Sequence, residues 1–261
     1  MQRAESYAAL APLLSAQLRR GVVTNCFLSA EDYQRELPRG LYYEEREGCL
    51  LLLRQRPGHL ILNFYLQPGG TFFLPDVKKP IVAELSCRAK DADAMSAAAE
   101  QLRGLGFAEC FRRLRRARPA AEAAEAEEAA DASFDAMRAF LLAQFDPLTG
   151  CIPPDDALRA AVEAGEMLCL TDEAGITGLL HYAPGRAACE IRHLAVRADC
   201  RGQGLAQRLL GMLRARTGGQ KCTVWARQGN TPAERFYEKN DFRPDGWTSV
   251  VLRWTERMVS P

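Results

Sequence analysis

The chain has 261 residues, of which 48% are hydrophobic, 26% charged and 8% aromatic, a composition typical of a folded globular protein and not of a disordered one. Its 34 basic and 33 acidic side chains leave a formal net charge of +1, which gives no overall field to attract nucleic acid or an anionic membrane. This length is comfortable for two domains of about 130 residues each.

Targeting segments, membrane spans and metal sites are not expected from the sequence. The longest aliphatic run, residues 50–53, is far shorter than the roughly 20 apolar residues of a membrane helix. The first residues lack a basic stretch followed by an apolar one, so we expect no signal peptide. Nine cysteines occur without a CxxC pair beside only three histidines, which predicts reduced thiols, no metal and a cytoplasmic location.

The first half of the chain alternates helical and strand patterns that glycine and proline separate. In chain order it predicts helices at 7–19 and 30–37, strands at 41–45, 49–54, 60–66 and 81–88, and a helix through Leu102. Residues 111–118 then read FRRLRRAR, with five arginines. This run is either a nucleic-acid-binding patch or a last strand whose charge the following acidic segment offsets, and the balance of charges favours the strand. We therefore expect no nucleic-acid partner.

A change of composition marks the expected domain boundary. Residues 119–132 are rich in Ala and Glu and nearly free of large apolar side chains, which predicts an exposed helical linker. The sequence thus predicts one domain at 1–118, the linker at 119–132 and a second domain at 133–261.

The second half repeats the order of the first. It predicts helices at 134–145 and 155–164, strands at 166–171, 176–182, 189–196 and 222–227, and a helix through Tyr237. Turn residues correspond at offsets of 124 to 127, for example Asp32 with Asp156 and Gly48 with Gly175. We interpret the pattern as an internal duplication. The fold class expected is α+β (layered α/β), with two domains that each have a central mixed, mostly antiparallel sheet flanked by helices.

The most informative segment follows the predicted strand 189–196. It reads Arg201-Gly202-Gln203-Gly204-Leu205-Ala206 and opens an amphipathic helix. A glycine-bearing loop at a helix N-terminus offers unpaired N–H groups and a partial positive charge to a phosphate. A Rossmann fingerprint would need glycine at Gln207, and a P-loop would need a GK[ST] sequence, so the loop predicts a phosphate cradle of another type.

Two motifs together resemble the GNAT superfamily of acyl-CoA-dependent N-acyltransferases. Arg201, Gly204 and Ala206 fit that family's pyrophosphate loop, Q/R-x-x-G-x-G/A. The segment from Asn230 to Phe242 is similar to its N-x-x-A-x-x-x-Y-[ED]-[KR]-x-G-F signature, with Asp241 where glycine is usual. Asp is among the few residues that tolerate a left-handed conformation, so we expect the fold to accept it.

The resemblance implies a role for each matching position. Acetyl-CoA is the implied co-substrate. The backbone groups of Leu194 and Val196 would pair with the pantetheine arm where neighbouring strands part, and Ala195 between them is a further cofactor-binding residue. The amides of Gly202, Gln203, Gly204, Leu205 and Ala206 would hold the pyrophosphate, with Arg201 near its charge, and Asn230 would cap the next helix and contact the cofactor.

Two residues are candidates for the chemistry itself. Tyr237 is the implied general acid for the departing thiolate, a role that suits a phenol whose pKa is ordinarily about 10. Glu190 or His193 could be the general base, and a water relay is an equal alternative. Period-two alternation puts Glu190 on one face of its strand with Leu194, and His193 on the other face with Ile191.

The function expected is transfer of acetyl from acetyl-CoA to a primary amine, by direct attack in a ternary complex. The acceptor is a small-molecule amine or a protein or peptide amine, and the chain is a monomer or homodimer. The first half lacks the phosphate loop and has Leu102 in place of Tyr237, which predicts a degenerate copy without a cofactor. The alternative is a non-catalytic acyl-CoA-binding or scaffolding protein.

Overall fold

The protein divides into two compact units. The structure, a computed structural model, describes residues 1–122 and 128–256. The first unit consists of residues 1–112 together with the C-terminal stretch from 247, and the second consists of residues 113–246.

The helices and longer strands of the first part of the chain begin and end close to the predicted positions. The elements of this part are β1 (Gln2–Arg3), α1 (Tyr7–Gln17), β2 (Val23–Thr24), α2 (Ala30–Gly40), β3 (Leu41–Arg46), β4 (Cys49–Arg56), β5 (His59–Leu66), β6 (Ile81–Arg88), α3 (Ala92–Gly104) and β7 (Ala108–Arg118). Helix α2 begins with a capping box, because the Ser29 hydroxyl accepts from the Asp32 N–H and the Asp32 carboxylate accepts from the Ser29 N–H.

The second part repeats the succession of two helices and three strands. Its elements are α4 (Phe134–Gln144), α5 (Asp155–Glu163), β8 (Met167–Asp172), β9 (Gly175–Ala183), β10 (Cys189–Val196), α6 (Leu205–Arg216), β11 (Cys222–Arg227), α7 (Thr231–Lys239) and β12 (Arg243–Trp254). Ser133 caps α4 by accepting from the Ala136 N–H at 3.3 Å.

The first unit is a mixed sheet between two helical layers. Its strands follow the order β1-β3-β4-β5-β6, and residues 247–254 of β12 close the sheet beside β6. Among the described strands of this unit, only β5 and β6 pair in parallel. One face packs against α1 and α2, and the other packs against α3, so that β4 is buried on both sides.

The second unit has the same architecture. Its strands follow the order β8-β9-β10-β11, and residues 113–118 of β7 close the sheet beside β11. Within the described part of this unit, only β10 and β11 pair in parallel. Helices α4 and α5 cover one face, and α6 and α7 cover the other. The expected mixed, mostly antiparallel sheet flanked by helices is therefore confirmed for each unit.

The division into units differs from the domains predicted at 1–118 and 133–261. Residues 113–118 supply the outer strand of the second unit, and residues 247–254 supply that of the first. The physical reason is backbone pairing: β7 hydrogen-bonds to β11 and so belongs to the second sheet, and β12 hydrogen-bonds to β6 and so belongs to the first. Composition alone, which placed the boundary, carries no information on strand partners.

The predicted helical linker is not helical where it is described. Residues 119–122 and 128–132 have no helical turns, and residues 123–127 of the linker lie outside the described part. The Ala121 N–H donates to Gly219 O at 2.9 Å, and the Ala130 N–H donates to Cys169 O at 3.0 Å. These backbone hydrogen bonds within the second unit outweigh the high helix propensity of Ala and Glu.

The arginine run is a strand, as the favoured interpretation of the sequence had it. Its charges meet partners other than the expected linker acids: Arg115 pairs with Asp245 at 2.7 Å, Arg116 with Glu238 at 3.1 Å, and Arg112 with Glu109 at 2.8 Å. The first two acids lie beyond α6, far along the chain, which is why composition did not identify them.

The correspondence between the halves extends to strand pairing. In the first unit, β5 runs antiparallel to β4 and parallel to β6, and β6 pairs antiparallel with β12. In the second unit, β10 runs antiparallel to β9 and parallel to β11, and β11 pairs antiparallel with β7. The first unit lacks a helix between β5 and β6, where residues 67–80 are irregular. Common descent of the two halves stays a prediction.

Asp241 provides a test of the left-handed turn that ends α7. Its φ is +63°, and the Phe242 N–H beyond it donates to Tyr237 O at 2.9 Å. We expect Asp241→Gly to keep or slightly raise the free energy of unfolding, and Asp241→Val to lower it by about 1–2 kcal/mol, since a branched side chain is disfavoured there. Urea unfolding measures both, and equal stability of the two variants would contradict the expectation.

Candidate functional site

The glycine loop between β10 and α6 has the geometry of an anion cradle. Gly204 is the N-cap of α6, and both Gly202 and Gly204 have φ of +78°, a conformation that favours glycine. A Cβ built on either glycine would meet nothing within 4 Å, so the space in front of the loop is open. Glycine cannot cap the helix with a side chain, which leaves the first-turn N–H groups available to an external acceptor.

Strand β10 parts from β11 just before this loop. Their parallel pairing runs from Cys189 beside Cys222 to Ile191 beside Val224, whereas the pairing of β10 with β9 continues to Val196. Strand β11 instead goes on pairing with β7 up to Arg227. The backbone of β10 after Ile191 therefore faces an opening on its β11 side.

Alternation along β10 identifies which backbone groups face that opening. The Arg197 N–H donates to Thr177 O of β9 at 2.8 Å. Backbone groups of successive strand residues point to opposite sides, so those of Leu194 and Val196 point away from β9. These are the two residues that the sequence predicted would pair with an extended ligand, and Ala195 lies between them.

Arginines brace the segment that leads into the loop. Arg197 bridges Asp172 at 2.6 Å and Asp199 at 2.8 Å, and these hydrogen-bonded carboxylates hold its pKa above the usual value. Arg201 is exposed, and its Nε donates to Val196 O at 3.3 Å. The sequence predicted Arg201 as a site residue and missed the Asp172–Arg197 pair, whose members lie 25 residues apart along the chain.

A cavity of about 340 Å³ lies beside the glycine loop. Two predicted site residues, Gln203 and Leu205, contribute to its wall. Its other walls include Asp172 of β8, Thr177 of β9, Arg208 of α6 and Cys200 in the turn before the loop.

Helix α7 holds Tyr237 and begins at the predicted cap. The Asn230 side chain accepts from the Ala233 N–H at 3.3 Å, which confirms its capping role. Tyr237 is only 7% exposed, and its ring lies 5.4 Å from the rings of both Phe236 and Phe242. Burial raises the pKa of the Tyr237 phenol well above its usual value, so the hydroxyl keeps its proton at physiological pH.

The structure corrects the predicted faces of β10. Its pairing register with β9 shifts between Ile191 and His193, which marks a β-bulge. Ile191 packs in the core beneath α6 and α7, whereas the His193 ring contacts Phe145 on the α4–α5 side. Glu190, one residue before Ile191, points to that same α4–α5 side. Glu190 and His193 therefore share a face, because one extra residue in the strand reverses the alternation.

Glu190 and His193 differ in their surroundings. The Glu190 carboxylate is partly exposed and lies 3.4 Å from Arg192. His193 is 2% exposed and His181 is 4% exposed, and their Nδ1 atoms are 3.1 Å apart. The His193 Nε2 lies 2.9 Å from Gly150 O.

Burial keeps both histidines neutral. Loss of solvation lowers the pKa of His193 to about 4 and that of His181 to about 3, and the positive charge of Arg192 acts in the same direction on both. Arg113 adds to the effect on His193, while the Gly150 carbonyl opposes it. Sequence reasoning considered His193 alone, since His181 contacts it only across strands.

The first unit fills the place that is open in the second. Strands β5 and β6 also part after two paired positions, but β2 pairs with β5 there through Val23 and Thr24. The buried Asn25 side chain donates to Leu62 O and Glu84 O at 3.0 Å, and it accepts from the Phe64 N–H at 2.9 Å. The chain itself, through β2 and the Asn25 side chain, thus satisfies backbone groups of β5 in this gap. That this unit binds no cofactor stays a prediction.

The described residues contain no group of three or more His, Cys, Asp or Glu side chains arranged to hold a metal ion. No helix in residues 1–122 and 128–256 is both long enough and apolar enough to cross a membrane.

Comparison with known proteins identifies the fold. A family model described as an acetyltransferase (GNAT) domain matches residues 163–244, which lie within the second unit. No curated protein matches the sequence significantly.

Several solved structures resemble the chain. A GCN5-related N-acetyltransferase from Sphaerobacter thermophilus is 16% identical with a TM-score of 0.56, over 97% of this chain and 95% of that one. An acetyltransferase of the GNAT family from Colwellia psychrerythraea is 16% identical with a TM-score of 0.54, over 97% and 98%. A GCN5-related N-acetyltransferase from Kribbella flavida is 14% identical with a TM-score of 0.51, over 85% and 92%.

The mixed sheet flanked by helices is the fold of these solved acetyltransferase structures. Residues 163–244, which match the family model of an acetyltransferase (GNAT) domain, carry the glycine loop and Tyr237.

The histidine pair predicts a pH dependence of stability. An unfolded histidine titrates near 6.5, so below that pH the unfolded chain binds more protons than the folded one, and stability must fall as the pH drops. With a folded pKa of about 4, His193 should contribute a loss of about 2 kcal/mol between pH 7 and pH 5. Urea unfolding at both pH values measures this loss. Glutamine does not titrate, so the stability of His193→Gln should fall by about 2 kcal/mol less than that of the wild type between pH 7 and pH 5. An equal fall in both proteins would contradict a neutral, buried His193.

Proposed function

We propose that the second unit transfers an acetyl group from acetyl-CoA to a primary amine by direct attack in a ternary complex. One observation carries the proposal: the open backbone of β10 and the uncapped N-terminus of α6 lie on either side of one short loop. An extended ligand with a diphosphate can use both at once, with its chain along Leu194 and Val196 and its phosphates at Gly202 to Ala206.

The chain's residues would serve the chemistry as follows. The amine nitrogen forms a C–N bond with the thioester carbon, and the C–S bond breaks. Tyr237, protonated because it is buried, would give its proton to the leaving sulfur. Glu190 would take the amine proton directly or through water, since its partly exposed carboxylate lies on the α4–α5 side of β10. Arg201 and Asn230 would contact the cofactor from the two helix starts.

The acceptor and the setting of the reaction belong to the proposal as well. The acceptor is a small-molecule amine or a protein or peptide amine. The chain acts as a monomer or a homodimer. All nine cysteines are thiols, which supports a reducing, cytoplasmic setting. The first unit, plugged by its own β2, would take no cofactor.

A non-catalytic acyl-CoA-binding protein is the second candidate. The observation that favours it is the burial of Tyr237 behind Phe236 and Phe242, together with the ion pair that engages Glu190. Such a protein would use the same cradle and release no CoA.

A panel of amines incubated with acetyl-CoA and the protein separates the two candidates. We expect at least one amine to give protein-dependent release of free thiol. Gly204→Ala should weaken acetyl-CoA binding roughly tenfold in calorimetry, because a Cβ is disfavoured at its positive φ. Gly211→Ala, within α6 and with open space around it, is the matched control and should bind normally. Tight binding without thiol release from any amine would favour the second candidate.

Tyr237→Phe tests the general acid. Phenylalanine keeps the ring contacts with Phe236 and Phe242 and removes only the hydroxyl, so acetyl-CoA affinity should change less than about twofold while turnover falls about 100-fold. Tyr182→Phe in β9 also removes a buried hydroxyl and should leave turnover unchanged. If Tyr237→Phe matches the wild-type rate across the pH range, Tyr237 has no role in proton transfer.

A further inference from the structure

The loop between α4 and α5 is highly ordered by its own contacts. The Asp146 carboxylate accepts from the N–H groups of Leu148 and Thr149 at 2.9 and 2.8 Å and from the Thr149 hydroxyl at 3.0 Å. The Gly150 N–H donates to Asp146 O at 2.7 Å. A Cβ on Gly150 would lie 2.5 Å from that same oxygen, so only glycine fits this turn.

Side chains of the sheet fix this turn in place. The Arg113 guanidinium of β7 donates to Thr149 O at 3.0 Å. The ring of His193 meets the Phe145 ring edge to face at 4.8 Å, and its Nε2 reaches Gly150 O at 2.9 Å. The loop is therefore docked on β10 beside the point where that strand leaves β11.

The hydrogen bonds determine which nitrogen of each histidine carries the proton. A carbonyl oxygen only accepts, so the His193 Nε2 must carry hydrogen, and in a neutral imidazole its Nδ1 then carries none. The His181 Nδ1, 3.1 Å from that atom, must donate to it. The two rings are nearly parallel, at 7°, and their centroids are 5.3 Å apart, which suits this edge-to-edge contact.

We propose that His193 is a positioning residue that anchors the α4–α5 loop at Gly150 as one wall of the amine site, with His181 holding His193 in the required tautomer. This inference rests on the proposed function, because the amine site is defined by the acetyl transfer. His193 precedes Leu194, whose backbone would hold the cofactor, so one residue links the cofactor strand to the loop. Neutral histidines make the anchor independent of pH in the physiological range.

Steady-state kinetics test this role with two substitutions of His193. Phenylalanine keeps an aromatic ring but cannot donate, which leaves the Gly150 carbonyl without its partner. His193→Phe should raise the KM of the amine about tenfold and leave the KM of acetyl-CoA within about twofold. His193→Gln can present an amide N–H near the former Nε2 and should recover most of the loss. An unchanged amine KM in His193→Phe, or an equal rise in both KM values, would overturn the proposal.

Two measurements on the protein without substrates keep this test separate from the test of acetyl transfer. Nitrogen-15 spectra of the wild-type protein at pH 7 should show His193 with its proton on Nε2 and His181 with its proton on Nδ1. Amide hydrogen exchange at Thr149 and Gly150 should speed up in His193→Phe and not in His193→Gln. A His193 proton on Nδ1, or unchanged exchange, would overturn the anchor. Absence of thiol release in the wild type would instead count against the proposed function alone.

Discussion

The bulge in β10 is the constraint on which the second unit's site depends. One extra residue near Arg192 adds a turn to the strand after Ile191, the last residue of β10 that pairs with β11. The same turn points His193 to the α4–α5 side and leaves the backbone of Leu194 and Val196 facing an opening. In a regular strand the backbone groups of His193 and Ala195, and not those of Leu194 and Val196, would point away from β9. The order of the α4–α5 loop follows from it as well, because His193 reaches Gly150 only from that side.

The two units show how one topology can be open or closed. Strands β5 and β6 in the first unit, and β10 and β11 in the second, pair in parallel for two or three residues and then part. In the first unit, Asn25 and the short β2 satisfy the exposed backbone of β5. In the second, the parting strands lead to Gly204 and the start of α6. Buried backbone groups must find partners, and in the first unit the chain itself supplies them.

Burial decides the electrostatics of the candidate residues more than neighbouring charge does. Tyr237 is held in its protonated form, and His181 and His193 are held neutral, chiefly because the interior disfavours their charged forms. Glu190 keeps partial contact with solvent and lies against Arg192. The second unit thus holds a buried phenol that keeps its proton and a partly exposed carboxylate.

The sequence by itself determined the elements, the glycine loop and the caps, because these depend on local patterns. The positions of the helices and strands, the Asn230 cap and the left-handed Asp241 all follow from residue types a few positions apart. Only the tertiary structure decided which strands close each sheet and where the bulge falls. It also brought together the pairs His181–His193 and Asp172–Arg197. Each depends on hydrogen bonds between residues distant in the chain, and a one-residue shift in register, invisible in composition or periodicity, reverses which side chains meet.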